Sequence, residues 1–384
     1  MLIDAIELYD FRSYPGARLC PGPGITVIVG RNGQGKTNLL EAIQRLATGR
    51  SHRVASDQPL VRAGAVSAVV RVSVRNDDGR QRQLDVQFGE GRTIQLDGQP
   101  VRRASDALGV VRAVMFAPED LAIVRGDPAD RRDYLDDLLA LRRPAYAAAR
   151  AEYVNVVRQR NALLRSARSL RGAAREAELE TLGAWTRQFI RHAAMLTAAR
   201  IAGVHALAKP VGDAYRHVAD RADDVTLTYR TAAGFEVVAD PDGGVPDPDD
   251  LAERLTAAVA QTSDEERDRG VTLVGPHRDD LDLRIGALPA KGYASHGETW
   301  TLALALKLAT VDVVEAVGDR PVVLLDDVFA ELDHVRRQRL AEACERWDQV
   351  LVTAAVEGDV PLGGARVDVS QHDGVSSLVV RAVT

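Results

Sequence analysis

An eight-residue segment at positions 30–37 limits what this chain can fold into more than any other feature. Its residues are Gly30, Arg31, Asn32, Gly33, Gln34, Gly35, Lys36 and Thr37, which match the pattern G-x-x-x-x-G-K-[ST]. A β-rich run precedes it at 25–29, and apolar residues at helical spacing follow it at 38–46. Glycines in such a loop allow backbone N–H groups to converge on phosphate oxygens at the positive end of a helix. The segment predicts a P-loop that binds ATP.

Two further motifs fit the chemistry of that loop. Lys36 would bring a compact positive charge to the outer phosphates, and the hydroxyl of Thr37 would be a ligand for Mg²⁺. Residues 322–327, Val-Val-Leu-Leu-Asp-Asp, predict a buried strand that ends in carboxylates. We expect Asp326 to be the second metal ligand and Asp327 to orient or deprotonate the attacking water. The alternative is a core strand that ends in a solvated turn, which the P-loop disfavours.

A helix start upstream of this strand carries small residues. Ser295 and Gly297 open a long apolar helix, and such a helix end can bind an anion. Taken alone, the pattern is also that of an ordinary capped helix. Its place about thirty residues before the Asp326 strand matches the order of the signature helix and the Walker B strand in ABC-type ATPases. In those proteins the signature of one subunit completes the ATP site of another.

Composition excludes several classes of protein. The chain has 384 residues, 46% of them hydrophobic, a net charge of −6, and two cysteines, Cys20 and Cys344, too few for a disulfide framework. No signal peptide is expected from the acidic N-terminus, and charged residues interrupt the apolar run at 301–317, so no membrane span or membrane partner is expected. These features favour a cytoplasmic location.

One stretch departs from the acidic average. Residues 131–175 contain eleven arginines and no lysine against four acidic residues. This stretch is either the solvated helical surface of a chain that uses few lysines or a surface that faces DNA, and the sequence leaves both readings open.

The order of the predicted elements indicates the domain organisation. Both ends of the chain alternate strands with helices, and β-rich runs at 66–74, 83–88 and 92–96 predict an antiparallel meander. The middle is rich in Ala, Leu, Arg and Glu, with long helical stretches at 131–141, 145–168 and 173–208 and an acidic Gly/Pro-rich loop at 240–250. We therefore predict an α/β ATPase domain built from residues 1–117 and 268–384, with a mostly helical lid inserted at 118–267.

Longer motifs point to one family. The chain resembles the RecF family, SMC-like ABC-type ATPases of bacterial recombinational DNA repair, over nearly its whole length. The segments that carry the resemblance are residues 11–14, 30–43, 49–53, 116–136, 275–281 and 324–333. The resemblance implies an ABC-type fold like that of SMC and Rad50 heads.

The resemblance also implies functional roles. Ser295 and Gly297 would contact the γ-phosphate across an ATP-dependent homodimer interface, and Asp333 would lie in the D-loop there. Such a protein would bind gapped or single-stranded DNA and, with RecO and RecR, promote loading of RecA, replication restart and the SOS response. Slow, DNA-dependent ATP hydrolysis would reset it.

Several positions depart from ABC-type ATPases in general. The signature reads Ser-His-Gly-Glu, Thr353 stands where a switch histidine is usual, and Glu119 and Asp120 occupy the region where a Q-loop glutamine is expected. Slow hydrolysis is therefore expected.

Two further sets of basic residues have patterns that point to no single role. Arg12 and the cluster at 50–53 fit either phosphate contacts or surface salt bridges. For His277 and Arg278 we expect packing of a turn and no catalytic role.

Other functions fit the sequence less well than a DNA-binding ATPase. A transporter-type motor domain fits poorly without the Leu-Ser-Gly-Gly-Gln signature and the switch histidine. A long-armed SMC-, Rad50- or RecN-like protein would need hundreds of heptad residues, and the 150 residues between the two halves contain proline and glycine breaks. A simple P-loop kinase would leave Ser295 and Asp333 unexplained.

Overall fold

The computed structural model describes residues 1–54, 56–219 and 223–381. The fold divides into two compact units. The first comprises Met1–Leu121, Ala214–Ala222 and His296–Thr384, and the second comprises Ala122–Asp213 and Asp223–Ser295. None of the described helices combines the length and the apolar character that crossing a lipid bilayer requires.

The strands and helices are numbered here in chain order. The strands are β1 (Leu2–Phe11), β2 (Tyr14–Leu19), β3 (Gly24–Val29), β4 (Ser67–Arg75), β5 (Gln81–Gly89), β6 (Ile94–Leu96), β7 (Gln99–Pro100), β8 (Ala113–Phe116), β9 (Val225–Arg230), β10 (Glu236–Val238), β11 (Asp280–Ile285), β12 (Leu288–Pro289), β13 (Val322–Asp326), β14 (Gln349–Ala354), β15 (Ala365–His372) and β16 (Val375–Val380). The helices are α1 (Lys36–Thr48), α2 (Leu121–Arg125), α3 (Pro128–Arg142), α4 (Ala145–Ser169), α5 (Gly172–Val218), α6 (Pro248–Arg269), α7 (Ala290–Tyr293), α8 (His296–Glu315) and α9 (His334–Cys344).

A mostly parallel sheet forms the centre of the first unit. Its strand order is β16-β15-β3-β14-β13-β8, and every neighbouring pair is parallel except β15 and β16. The central strands read as continuous apolar runs because both faces of the sheet are covered, and all residues of β13 and β14 are buried. Parallel strands end at the same edge, so the loops after β3, β13 and β14 meet there.

An antiparallel sheet completes the first unit. Its order is β2-β1-β4-β5-β6-β7. The alternation of buried and less buried side chains is clearest in β4, where Ala68, Val70, Val72 and Val74 are buried and the residues between them are not. One face of this sheet therefore contributes to the hydrophobic core. Strands β4, β5 and β6 pair antiparallel, as predicted for the meander at 66–96.

The second unit is mostly helical, with one small sheet of order β10-β9-β11-β12. Within it α3 is fixed to β11 by Arg131, whose guanidinium donates to both carboxylate oxygens of Asp280 at 2.7 and 3.0 Å. Helix α4 is fixed by Arg160, which pairs with Glu266 of α6 at 2.6 Å, and both side chains are buried. Part of the arginine-rich stretch thus serves the internal packing of this unit.

Several element boundaries differ from the sequence expectations. The acidic stretch at 240–250 was expected to be a loop throughout, but α6 begins at Pro248, where Asp247 caps it by accepting from the N–H of Asp249 at 2.8 Å. Strand β2 was not predicted, and the helix expected at 173–208 continues to Val218. The predicted domain boundaries at 117/118 and 267/268 stay a prediction. Residues 268–295 belong to the second unit.

Candidate nucleotide-binding site

Glycines of the P-loop lie against the C-terminal hairpin of β15 and β16. A Cβ atom at Gly30 would come within 2.3 Å of the carbonyl oxygen of Val369. Gly35 has φ +107°, and a Cβ atom there would come within 2.6 Å of Oγ of Ser376. Only glycine fits both positions without movement of the hairpin, so these two residues serve packing as well as phosphate access.

Hydrogen bonds hold the loop in this shape. Oγ of Ser376 donates to the carbonyl of Gln34 at 2.7 Å, and the side-chain oxygen of Gln34 accepts from the backbone N–H of Gln371. The buried hydroxyl of Tyr14 donates to the carbonyl of Gly35 at 3.1 Å. These hydrogen bonds fix the loop between β3 and α1, and Arg31, Asn32 and Gly33 at its tip are exposed.

Lys36 lies at the base of the loop with 3% of its side chain exposed. Its ammonium group is 3.5 Å from Oδ2 of Asp327 and 3.5 Å from the carbonyl oxygen of Arg31. A buried ammonium group is costly to leave uncompensated. Asp327 thus supplies a negative charge next to the buried ammonium group of Lys36.

Asp326 lies between two threonine hydroxyls at the end of β13. Its Oδ1 accepts from Oγ1 of Thr37 at 3.1 Å and from Oγ1 of Thr353 at 2.6 Å. Burial raises the pKa of the Asp326 carboxyl, and the two hydroxyls lower it without cancelling the rise. A cation bound at this carboxylate would favour its charged form.

Asp327 adopts a left-handed backbone conformation, with φ +49°. Its backbone N–H donates to Oγ1 of Thr353 at 2.9 Å, so the hydroxyl at the end of β14 holds the carboxylate of Asp326 and the backbone of Asp327. Oδ1 of Asp327 is buried, and no group among the described residues donates a hydrogen bond to it. That oxygen is an acceptor with capacity for a water molecule.

The residues present fit Mg²⁺. Two neighbouring ligands of an octahedral Mg²⁺, each at 2.0–2.1 Å, are about 3 Å apart. Oγ1 of Thr37 and Oδ1 of Asp326 are 3.1 Å apart. Among the described residues no group of three or more His, Cys, Asp or Glu side chains could hold a metal. Two protein oxygens suit a cation whose remaining ligands are phosphates and water.

Glu119 and Asp120, in the region where a Q-loop glutamine is expected, are both carboxylates but have different surroundings. Asp120 pairs with Lys307 of α8 at 2.9 Å and accepts from the N–H of Ala117 at 2.8 Å. Glu119 adds negative charge near Asp326 and contributes to the raised pKa of that carboxyl. Asp120 therefore anchors the loop after β8 to α8, and Glu119 is the carboxylate of the two that influences the P-loop site.

Arg12 and Arg53 form ion pairs in this structure. Both pair with Glu41 on the buried side of α1, at 2.6 and 3.4 Å. Burial alone would raise the pKa of the Glu41 carboxyl, but the hydrogen bonds from Arg12 and Ser51 outweigh this effect, and the pKa is lowered. The sequence left open whether these arginines contact phosphates or form salt bridges. In this structure Arg12 and Arg53 form salt bridges.

The residues expected to act across a dimer interface are found at two helix starts. Ser295 is the last residue of the second unit, and Gly297 lies in the first turn of α8. Asp333 caps α9, since its Oδ1 accepts from the N–H of Arg336 at 2.9 Å. Gly297 and Asp333 are brought together through Arg336, which contacts both.

The turn at 275–280 of the second unit is held by internal hydrogen bonds. Nδ1 of His277 lies 2.6 Å from the hydroxyl of Tyr153, and its Nε2 lies 3.2 Å from the carbonyl of Thr272. Nε of Arg278 donates to the same carbonyl at 3.4 Å. Both side chains therefore act in packing of the turn, as expected.

Six arginines of the basic stretch remain exposed on α4, on α5 and next to their ends. They are Arg143, Arg158, Arg165, Arg168, Arg171 and Arg175. Among the described residues none of the six has an ion-pair partner. They are the exposed part of the arginine-rich stretch at 131–175.

The residues that support the site carry little signal in the sequence. Ser376 and Tyr14 hold the P-loop in place. Thr353, which stands where a switch histidine is usual, holds the carboxylate of Asp326 and the backbone of Asp327. A hydroxyl residue at the end of a central strand was the one signal present in the sequence.

Comparisons with known proteins agree with this geometry. A model of the RecF/RecN/SMC N terminal domain family matches residues 2–377. The chain is 47% identical over 375 residues to the DNA replication and repair protein RecF of Streptomyces avermitilis, covering 97% of this chain and 98% of that protein.

Solved structures show the same fold. The chain matches the recombination mediator protein RecF-ATP in the RecFOR pathway with a TM-score of 0.85 at 26% identity, covering 98% of this chain and 99% of that one. An Smc head domain derived from Pyrococcus furiosus matches with a TM-score of 0.54 at 17% identity, covering 99% and 96%, which shows a shared fold alone. The predicted ABC-type, SMC head-like α/β fold with a mostly helical insertion is confirmed. The chain belongs to the RecF family of the RecF/RecN/SMC proteins.

Proposed function

We propose that this protein is an ATP-dependent DNA-binding switch of recombinational repair. The observation that carries the proposal is the pair of oxygens from Thr37 and Asp326, 3.1 Å apart beside the buried ammonium group of Lys36. Few arrangements other than a metal-bound nucleoside triphosphate use a P-loop together with these groups. Similarity to RecF-ATP structures supports ATP as the nucleotide.

Each residue of the site has a role in this proposal. Backbone N–H groups of residues 30–37 and the ammonium group of Lys36 would bind the phosphates, and Thr37 and Asp326 would hold Mg²⁺. When bound, Mg²⁺ neutralises charge on the phosphate oxygens. Asp327 would accept a hydrogen bond from the attacking water, with the backbone of Asp327 fixed by Thr353.

The switch would be an ATP-dependent homodimer. Ser295, Gly297 and Asp333 of one copy would complete the ATP site of the other, so that ATP favours the closed dimer and hydrolysis opens it. Two features favour slow hydrolysis. Thr353 replaces the switch histidine, and carboxylates at 119 and 120 replace the Q-loop glutamine.

DNA would bind the closed dimer through its phosphates. The six exposed arginines of the second unit supply positive charge in a chain whose net charge is −6, and no motif reads base sequence. We propose gapped or single-stranded DNA as the ligand and the cytoplasm as the location. RecO and RecR would be partners in RecA loading, replication restart and SOS induction, with a weak DNA-dependent ATPase as the reset.

Binding to gapped duplex DNA tests this function. Fluorescence anisotropy would be measured without nucleotide, with ADP and with ATP, for the wild type and for Lys36→Met. We expect ATP to increase DNA affinity at least tenfold in the wild type and not in Lys36→Met. Equal affinity in all three nucleotide states would mean that the protein is not an ATP-driven DNA switch.

A further inference from the structure

Arg336, in the first turn of α9, contacts the start of α8. Its Nη2 lies 3.2 Å from the position that a Cβ atom at Gly297 would occupy, and the carbon of its guanidinium lies 3.6 Å from that position. About a quarter of the side chain, 24%, is exposed. A Cβ atom at position 297 would crowd this guanidinium, which would have to shift by a few tenths of an ångström, so glycine allows Arg336 its close approach to the start of α8.

The guanidinium is held in a defined orientation. Nε donates to Oγ1 of Thr301 at 2.7 Å, and that hydroxyl donates to the carbonyl of Gly297 at 2.8 Å. Nη1 pairs with the carboxylate of Asp333, which also caps α9. Two of the three nitrogens are thus fixed, and the direction of the third follows from them because the guanidinium is planar.

The third nitrogen is free to bind a ligand. Within the described part of the chain, Nη2 of Arg336 has no hydrogen-bond acceptor, and it is the atom nearest Gly297. A positive group at the N-terminal end of a helix is electrostatically unfavourable, and the carboxylate of Asp333 compensates the guanidinium on its Nη1 side. An anion bound between Nη2 and the first turn of α8 would give the remaining nitrogen an acceptor.

We propose that Arg336 donates a hydrogen bond through Nη2 to the γ-phosphate of ATP held by the P-loop of a second copy of this chain. This inference rests on the proposed two-copy ATP site and adds a residue to it. Arg336 would bring charge to a phosphate that Ser295 and Gly297 contact with neutral groups, and its preset orientation would cost no rearrangement. Because ADP lacks the γ-phosphate, this hydrogen bond would also distinguish the two nucleotides.

Mixing subunits tests whether Arg336 acts on the partner's nucleotide. Arg336→Ala retains its own P-loop, and Lys36→Met retains its own α8 and α9. We expect each variant alone to hydrolyse ATP at least tenfold more slowly than the wild type in the presence of gapped DNA. An equal mixture should hydrolyse ATP well above either variant alone, because each mixed dimer holds one intact site. Random pairing, in which half of the dimers are mixed, would give about a quarter of the wild-type rate.

A second mixture separates this inference from the proposed function. Ser295→Arg with Lys36→Met should recover activity in the same way if ATP sites are shared between copies. Recovery in that mixture but not with Arg336→Ala would overturn the role of Arg336 and leave the shared site standing. Recovery in neither mixture would overturn both.

Conservative variants test for a direct hydrogen bond and guard against misfolding. Arg336→Lys retains the charge, whereas Arg336→Gln retains a hydrogen-bond donor without charge. Phosphate binding by Arg336 predicts that Arg336→Lys hydrolyses ATP several-fold faster than Arg336→Gln. Equal rates, or a faster Gln variant, would show that Arg336 only holds Thr301 and Asp333 in place. Arg337→Ala is the matched control, since the Arg337 guanidinium donates to the carbonyl of Leu332 and its removal should leave hydrolysis near the wild-type rate.

Discussion

The hydroxyl oxygen of Thr37 lies 3.1 Å from a carboxylate oxygen of Asp326, although 289 positions separate them in the sequence. Thr37 lies in the first turn of the helix after β3, and Asp326 ends β13, which is two strands away in the sheet. Strand β14 lies between them and includes Thr353, whose hydroxyl donates to the same oxygen of Asp326. The parallel order of these three strands therefore creates the site, because it brings three polar strand ends to one edge.

Removal of the Thr37 hydroxyl should weaken metal-dependent nucleotide binding. Thr37→Val retains the shape of the side chain but removes one of the two oxygens proposed to hold Mg²⁺. We expect ATP affinity in Mg²⁺ to fall about tenfold to a hundredfold, in line with removal of a hydrogen bond or ligand to a charged group. Affinity measured in EDTA should change little. Titration calorimetry with and without Mg²⁺ measures both, with Thr37→Ser as the control that keeps the oxygen. Equal decreases in Mg²⁺ and EDTA would argue against a metal role for Thr37.

Asp327 should matter for hydrolysis more than for binding. In Asp327→Asn the side chain keeps its size but loses the charge that would activate water and that pairs with Lys36 at 3.5 Å. We expect single-turnover hydrolysis to slow about a hundredfold or more. ATP affinity should be unchanged or slightly higher, because the carboxylate no longer competes with phosphate for Lys36. A normal rate of hydrolysis in this variant would assign the catalytic base elsewhere.

His277 should make stability depend on pH. Burial lowers the pKa of its imidazole from 6.5 to about 4. Between these values the unfolded chain binds more protons than the folded chain, so stability is complete above pH 6.5 and is lost as the pH falls towards 4. The free energy of unfolding attributable to His277 should fall by about 3 kcal/mol by pH 4.

Urea unfolding across this pH range checks the assignment. His277→Gln should be less stable than the wild type at neutral pH and should show a smaller decrease in stability between pH 6.5 and 4. The exposed His372→Gln should retain the wild-type slope. If His277→Gln showed the same slope as the wild type, the pH dependence would come from other groups.

Arginines on the exposed side of α4 should contribute to DNA binding. Arg158 and Arg165 are seven residues apart and therefore lie on one face, and Arg168 follows one turn later. Replacement of all three by Gln should weaken binding to gapped DNA in the presence of ATP. The slope of log Kd against log salt concentration should fall by about 1 for each DNA phosphate that the variant no longer neutralises.

A matched variant controls for net charge. Arg80, Arg102 and Arg103 are exposed in the first unit, and replacing them by Gln removes the same charge. We expect this variant to bind DNA with the wild-type salt dependence. Equal effects of the two triple variants would mean that total charge, and not the surface of α4, governs binding.

Much of the fold could be predicted because its signals are local. The P-loop pattern, the apolar strand before Asp326 and the long helical periods each lie within a few tens of residues. The start of α6 could also have been predicted, because Asp247 and Pro248 form a usual helix start. The loop expected at 240–250 wrongly included these two residues and the first turn of the helix.

The supporting residues could not be predicted because their hydrogen bonds join distant segments. Ser376 reaches Gln34 across 342 positions, and Arg336 reaches Thr301 across 35. Arg12 illustrates the same limit, since its choice between a phosphate and a carboxylate depends on Glu41 being buried beside it. Such choices follow from the tertiary fold and not from local pattern.

Sedimentation velocity with and without ATP tests the central claim most directly. The wild type should sediment as a monomer without nucleotide and with ADP, and as a dimer with ATP and Mg²⁺. Lys36→Met, which cannot bind the phosphates, and Ser295→Arg, which blocks the shared site, should both stay monomeric with ATP. If the wild type bound ATP but its sedimentation did not change, the P-loop assignment would stand and the ATP-driven dimer would be contradicted.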